Sequence, residues 1–196
     1  MDQYDLLIDH FKKDVKLSSQ EEKLITDCFS LREFKKNDVI LSAGDISSQM
    51  RFIVEGCLKS YYLNEDGKEH IVHFGIEDWW INDLYSYFTG TPSTQYIQAI
   101  ENGKFLQAPK EKLDELFDRS HAIERFFRLK FQNAYVAFID RTINSLSKTA
   151  EVRYSEFCEK YPEIEQRIPQ YALASYLGIT PEFLSVLRKR RLKKRS

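Results

Sequence analysis

Gln170-Tyr-Ala-Leu-Ala-Ser-Tyr-Leu-Gly-Ile-Thr-Pro-Glu-Phe-Leu-Ser-Val-Leu187 is the stretch on which the reading of this chain turns. Counted from Gln170, apolar residues fall at the fourth, eighth, tenth, fifteenth and eighteenth positions: Leu173, Leu177, Ile179, Leu184 and Leu187. That spacing gives two short helices one shared apolar seam. Ala174 is small enough to let the second helix approach the first. Gly178 can take the positive φ that a tight interhelical turn demands, without Cβ strain. Thr180 is placed to cap the second helix, Pro181 suits its first position, and Glu182 favours its positive end. An ordinary helical hairpin meets some of these constraints; meeting all of them together predicts two helices crossing steeply.

Directly after this unit come Arg188, Lys189, Arg190, Arg191, Lys193, Lys194 and Arg195, seven cations in eight residues. Taken alone, such a run is a solvated tail. Beside a helix pair with an exposed face it is well placed for phosphates. Residues 148–196 hold eleven Lys/Arg against six Asp/Glu, whereas the other 147 residues hold 18 against 24. The net charge of −1 therefore conceals a basic end on an acidic body, and the end is the part suited to a polyanion.

Upstream, residues 123–146 contain neither Gly nor Pro. Ile123, Phe127, Phe131, Tyr135, Phe138, Thr142 and Leu146 recur at spacings of three and four, and Phe126, Val136, Ile139 and Ile143 form a second stripe. A helix apolar on two faces has two surfaces to bury. One covers the preceding domain, and the other most simply meets a second copy, through Phe127, Phe131, Tyr135 and Phe138; the alternative is a helix buried within one domain.

From about residue 31 to 108 the period shortens to two. Strands are predicted at 39–41, 50–54, 58–63, 69–74, 96–100 and 104–108, with a hairpin turn at Asn64-Glu65-Asp66-Gly67 and an aromatic loop over 79–94. Short antiparallel strands in this number suggest a jelly-roll or β-roll barrel. A helix starts at Pro109 and ends near Asp118. Residues 1–30 read as helical, with a capping box at Ser18 and Glu21.

With 42% apolar and 30% charged residues, the composition is that of a globular protein. No apolar run approaches the roughly 18–20 residues of a membrane span, and residues 1–13 lack the pattern of a signal peptide. Cys28, Cys57 and Cys158 lie far apart without a CxxC pair, as free thiols in a reducing cytoplasm do. The expected location is the cytoplasm, with no membrane partner.

The segment 168–190 resembles the DNA-binding motif of the CRP/FNR family, the relatives of the cyclic-AMP receptor protein. The order of roll, long helix and helix-turn-helix resembles that family along nearly the whole chain, as do Phe52-Ile-Val-Glu-Gly56, Tyr61-Tyr62, Asp66-Gly67-Lys68-Glu69 and Phe74 within the roll. The resemblance implies an α+β chain in three parts. Residues 1–118 form a double-stranded β-helix or jelly-roll sensor domain of cyclic-nucleotide-binding type, 119–147 a dimerisation helix, and 148–196 a winged helix-turn-helix domain. It implies a homodimeric transcription regulator that binds a near-palindromic duplex operator and meets RNA polymerase. Gln170, Thr180, Glu182, Ser185, Val186, Lys189 and Arg190 are then the candidate DNA-contacting residues. Glu182 and Ser185 match family base-contacting positions. Val186 stands where many relatives place a guanine-reading arginine, so the operator differs from the best-known one; Val can meet a thymine methyl and Glu can accept from cytosine N4.

The ligand cassette also departs from the family pattern. Relatives that bind cyclic nucleotide use a Gly-Glu-Leu turn and an Arg-Ser pair. Here Ile81-Asn82-Asp83 falls at the turn and Ser93-Thr94 at the pair, which removes the bidentate cation for the phosphate. Cyclic AMP is therefore not the expected effector. Trp79, Trp80, Asn82, Asp83, Ser93 and Thr94 are the candidate pocket for an unidentified small molecule, the aromatic residues being equally suited to core or interface. No cofactor, metal or catalytic residue is expected: His70 and His73, three apart on a strand, fall on opposite faces of it. Glu21-Glu22 reads as solvated helix surface, and no nucleophile–base arrangement stands out.

Overall fold

The computed structural model describes residues 3–195, with the backbone alone for Lys194 and Arg195. The end of the basic run and the first two residues thus fall outside the described side chains. Two helices open the chain, α1 (Gln3–Lys12) and α2 (Ser19–Cys28). Ser18 accepts from the Glu21 N–H while Glu21 accepts from the Ser18 N–H, a complete capping box. Seven strands and a short helix follow: β1 (Ser30–Phe34), β2 (Val39–Leu41), β3 (Gln49–Glu55), β4 (Leu58–Leu63), β5 (Glu69–Gly75), α3 (Leu84–Thr89), β6 (Tyr96–Ala99) and β7 (Gly103–Pro109). The remainder is helical: α4 (Lys110–Arg119), α5 (His121–Ser147), α6 (Ala150–Lys160), α7 (Pro162–Arg167), α8 (Gln170–Leu177) and α9 (Pro181–Arg195).

The strands form two antiparallel sheets, ordered β1-β7-β3 and β2-β6-β4-β5. They do not close into a barrel but face one another across a core of Phe34, Leu41, Ile53, Leu58, Ile81, Ile97, Ala99 and Phe105. Side-chain alternation along each strand divides the apolar residues between this layer and the outer faces. On β3, Met50 and Phe52 turn outward to a layer built from α1, α2, α4 and the first part of α5, while Ile53 turns inward. On β4, Leu58 turns inward and Tyr61 outward. Tyr61, with Ile71 and Phe74 of β5, forms one continuous core with Tyr154, Phe157, Leu173, Leu177, Leu184 and Leu187 of the C-terminal helices. The molecule is thus helix layer, sheet, sheet, helix layer. At the β3–β7 seam the backbones come so close that a Cβ on Gly103 would stand 2.0 Å from the Glu55 carbonyl oxygen.

Four expectations need correction. Strand β1 was not foreseen; its exposed Ser30, Arg32 and Glu33 give it little apolar alternation. The loop over 79–94 contains α3, where Asp83 caps the Tyr85 and Ser86 N–H groups. Pro109 ends β7 and stands just before α4 rather than within its first turn. Finally, no strand follows β7 among the described residues, so the winged form is not present there. Residues 182–195 contain no glycine and no proline, and α9 continues as one helix to Arg195. No helix among the described residues is long and apolar enough to cross a membrane.

Candidate nucleic-acid interface

Helices α8 and α9 meet at Gly178, whose φ of 68° is the left-handed conformation foreseen for the turn. The Ile179 N–H returns to the Ala174 carbonyl at 3.0 Å, closing the end of α8. Thr180 Oγ1 accepts from the Phe183 N–H at 3.2 Å and so caps α9. Leu173, Ala174, Leu177, Leu184 and Leu187 are buried together, with Ile179 packed at their margin. The opposite side of α9 is open: Glu182, Val186 and Lys189 are exposed and Ser185 is half-buried. Its own backbone N–H and the Thr180 hydroxyl hold the Glu182 carboxyl below the usual carboxylate range. Gln170, at the start of α8, is also exposed.

The basic run is less free than its sequence suggests. Arg188 and Arg191 both lie 3.6 Å from the Glu165 carboxylate, and Arg190 lies 3.8 Å from Glu151. These contacts tie α9 to α6 and α7. Arg190, a candidate for DNA contact, therefore already has an acidic neighbour, though its side chain remains 59% exposed.

The candidate effector residues do not converge. Trp79 and Trp80 follow one another on extended backbone and face opposite ways. Trp80 packs among Phe29, Phe52 and Phe127 on the helical side, whereas Trp79 lies against His73 and Tyr161 on the C-terminal side. Both are half-buried and pack against core clusters, so of the alternatives the sequence left open it is core packing, and not a shared aromatic pocket, that the structure displays. Asn82 is occupied at the edge of β3, its Oδ1 accepting from the Arg51 N–H at 2.9 Å. Thr94 is exposed. Only Asp83 and Ser93 meet: both are buried, and the Ser93 hydroxyl donates to Asp83 Oδ2 at 2.7 Å. The acidic and hydroxyl groups at the cassette positions thus satisfy each other. His70 stacks on Tyr62 and His73 on Trp79, so the two histidines do not share a site.

On α5, Phe127 is 2% exposed and sits in the core against Phe11, Trp80 and Phe117, so it is corrected from interface to core. Phe131 is half-buried against Phe88 and Phe127. From Tyr135 onward the apolar residues are bare: Tyr135, Val136, Phe138 and Leu146 are all more than 60% exposed. The two apolar surfaces of this helix are therefore arranged along its length and not around it.

A set of contacts absent from the sequence reading joins the C-terminal helices to the roll. Arg167 reaches Glu77 at 2.6 and 3.0 Å and Glu101 at 2.6 and 3.1 Å, bridging two carboxylates. Burial opposes ionisation of Glu77. The bonds from Arg167 and from backbone N–H groups outweigh it, and its carboxyl is held below the usual range. Ser175 Oγ accepts from the Ile71 N–H at 3.0 Å and donates to the Glu69 carbonyl at 2.9 Å. Arg141 donates to the carbonyls of Val72, Ile71 and Tyr176. Since β5 is an edge strand, α8 and α5 occupy the backbone groups that an open edge would leave unpaired. No periodicity marks Arg167, Ser175 or Arg141, because each acts across a long sequence separation.

Residues 31–120 match the family model described as Cyclic nucleotide-binding domain. An anaerobic regulatory protein of Haemophilus influenzae is 25% identical over 170 residues, covering 80% of this chain and 64% of that protein. The arrangement of roll, long helix and C-terminal helices is that of solved regulators. FixK2 from Bradyrhizobium japonicum superposes with a TM-score of 0.73 at 17% identity, covering 85% of each chain. A transcriptional regulator of the crp/fnr family from Eubacterium rectale gives 0.66 at 17% identity, over 90% of this chain and 85% of that one. The chain thus carries a match to a cyclic nucleotide-binding domain over its roll and is similar along most of its length to regulators of the CRP/FNR type. The chain spans about 64% of the length of the Haemophilus relative. The domain match covers the roll.

Proposed function

We propose that this chain is a sequence-specific, DNA-binding transcription regulator that works as a homodimer and takes its signal through the roll. The observation that carries the reading is the α8–α9 unit, with Leu184 and Leu187 buried and Glu182, Ser185, Val186 and Lys189 on the open side. On this reading residues 1–118 sense, 119–147 dimerise and 148–196 bind duplex DNA in the cytoplasm, with RNA polymerase as a further partner. Helix α9 enters the major groove. Glu182 and Val186 read base edges, Lys189 and the following cations meet phosphates, and Gln170 and Thr180 flank the contact. Two α9 helices in a dimer read half-sites about one turn, roughly 34 Å, apart, so the operator is an inverted repeat. The effector is a small molecule other than cyclic AMP; the direct Asp83–Ser93 bond supports that part of the reading.

Selection of bound sequences from a random duplex pool tests the proposal. The full chain should enrich an inverted repeat. Glu182→Ala should change the preferred bases, whereas Lys189→Ala should weaken binding to all sequences and reduce the salt slope by about one. A pool that shows no enrichment at low salt would sink the reading.

A further inference from the structure

Arg51 lies in the middle of β3 and is 5% exposed. Its neighbours Met50 and Phe52 turn to the outer helical layer, so Arg51 turns with Ile53 into the space between the sheets. A guanidinium has five N–H donors and keeps its charge. Here Nη1 makes one long bond, 3.4 Å, to the Gln49 carbonyl, and Nε has no partner. No carboxylate forms an ion pair with it among the described residues. Asp83, next in the chain to the Asn82 that accepts from the Arg51 N–H, is committed to the Tyr85 N–H, the Ser86 N–H and the Ser93 hydroxyl. Burial alone draws the guanidinium down to about 10. Four residues earlier, at the entry to the same strand, Ser47 is fully buried and its hydroxyl also lacks a partner.

An unpaired buried cation is among the most costly arrangements a fold can hold. Buried polar groups are otherwise partnered, and a charged donor left open inside a sensor domain asks for an anionic acceptor from outside the chain. The planar fork fits two oxygens of one group. We infer that Arg51 anchors a small oxyanion, a carboxylate or a phosphate group, between the sheets of the roll. The anchor is on β3, not on the 82–83 and 93–94 segments that the family pattern designates, and those segments are engaged with each other. The inference rests on reading the roll as the sensor. Binding without DNA tests it separately, because a chain that takes the anion and ignores DNA upholds one reading and ends the other.

The test is calorimetry and thermal unfolding of the full chain with inorganic phosphate and, separately, succinate, chloride being adjusted to hold ionic strength constant. Wild-type protein should bind one of the two at one site per chain and unfold at a higher temperature in its presence. Arg51→Leu should lose affinity on the order of 100-fold while keeping its circular dichroism spectrum. Arg51→Lys, which keeps a charge without the fork, should bind with intermediate affinity and serves where the leucine variant does not fold. Response to phosphate alone assigns a phosphate group, and to succinate alone a carboxylate. Wild-type protein unmoved by both, or variants that respond as strongly as wild type, would overturn the anchor.

Discussion

Trp80 donates its indole N–H to Nε2 of His10 at 3.1 Å, and Nδ1 of the same ring lies 2.7 Å from Asp78. An indole only donates, so Nε2 must carry the lone pair and Nδ1 the proton. His10 is neutral in this arrangement. Burial, the largest influence, lowers its titration below the ordinary 6.5 and outweighs the bond to Asp78, which acts the other way. His73, enclosed beside Arg141, is drawn down to about 4, first by burial and then by the arginine charge. For both, the unfolded chain binds a proton more readily than the native one. Their contribution to stability is therefore fully present above about pH 6.5 and declines as the pH falls below it, for His73 down to about 4. Urea unfolding midpoints at pH 7.5 and 5.5 should show a loss of stability on acidification. His73→Gln should shrink that difference, since Gln has no proton to gain. A midpoint that does not move between those pH values would mean that neither ring needs to stay neutral.

Helix α5 divides into a half buried against the roll and a half whose apolar residues are bare, with Arg141 reaching from that second half to β5 and α8. Ile123, Phe126 and Phe127 are buried, whereas Tyr135, Phe138, Ile139, Ile143 and Leu146 are open. The substitutions Phe138→Lys and Ile139→Lys together should give a folded monomer by light scattering. Phe127→Ala should instead lower stability by about 3–5 kcal/mol without dissociating a dimer, since it empties a core position. If the lysine pair leaves the dimer intact, the contact lies elsewhere. The same helix shows what was legible in the sequence and what was not. Helical spacing announced two apolar surfaces but could not say that they lie end to end, because the boundary is set by where the roll stops, not by anything local. Strands β2 to β7 and the α8–α9 turn were legible because alternation, an Asn64–Gly67 turn and Gly178 are local signals. Strand β1 and helix α3 were not: the first has mostly exposed side chains, and the second is a six-residue helix inside an aromatic run. For Trp79 and Trp80 the sequence left pocket and core equally open, and only the path of the backbone sends them to different core clusters.

At the scale of the whole molecule, the contrast between a basic end and an acidic body has a structural counterpart. Arg167 of α7 sits between Glu77 and Glu101 of the roll, which places one cation of the C-terminal region on two of the body's carboxylates. Around it runs a seam with two components, the apolar cluster shared by β4, β5 and the C-terminal helices, and the polar ties of Ser175 and Arg141 to the β5 edge. The apolar part supplies most of the attraction but little direction. The polar ties fix the register, because each needs its partner within hydrogen-bond reach. Ion pairs at this level of exposure contribute modestly one by one, so removal of Arg167 should loosen the seam without unfolding the chain. Amide exchange resolves such local opening residue by residue. In Arg167→Gln the N–H of Gly56, which donates to Glu77 at 2.6 Å, and the N–H of Ile71, held by Ser175, should exchange about tenfold faster, equivalent to ~1.4 kcal/mol of lost protection. The N–H of Leu106, in the strand between β1 and β3 and beneath the other helical layer, should keep its wild-type rate. Equal acceleration at all three would indicate global destabilisation. No acceleration at Gly56 and Ile71 would mean that the apolar cluster holds the seam by itself, and that the charges at Arg167, Glu77 and Glu101 follow the docking of the C-terminal helices rather than directing it.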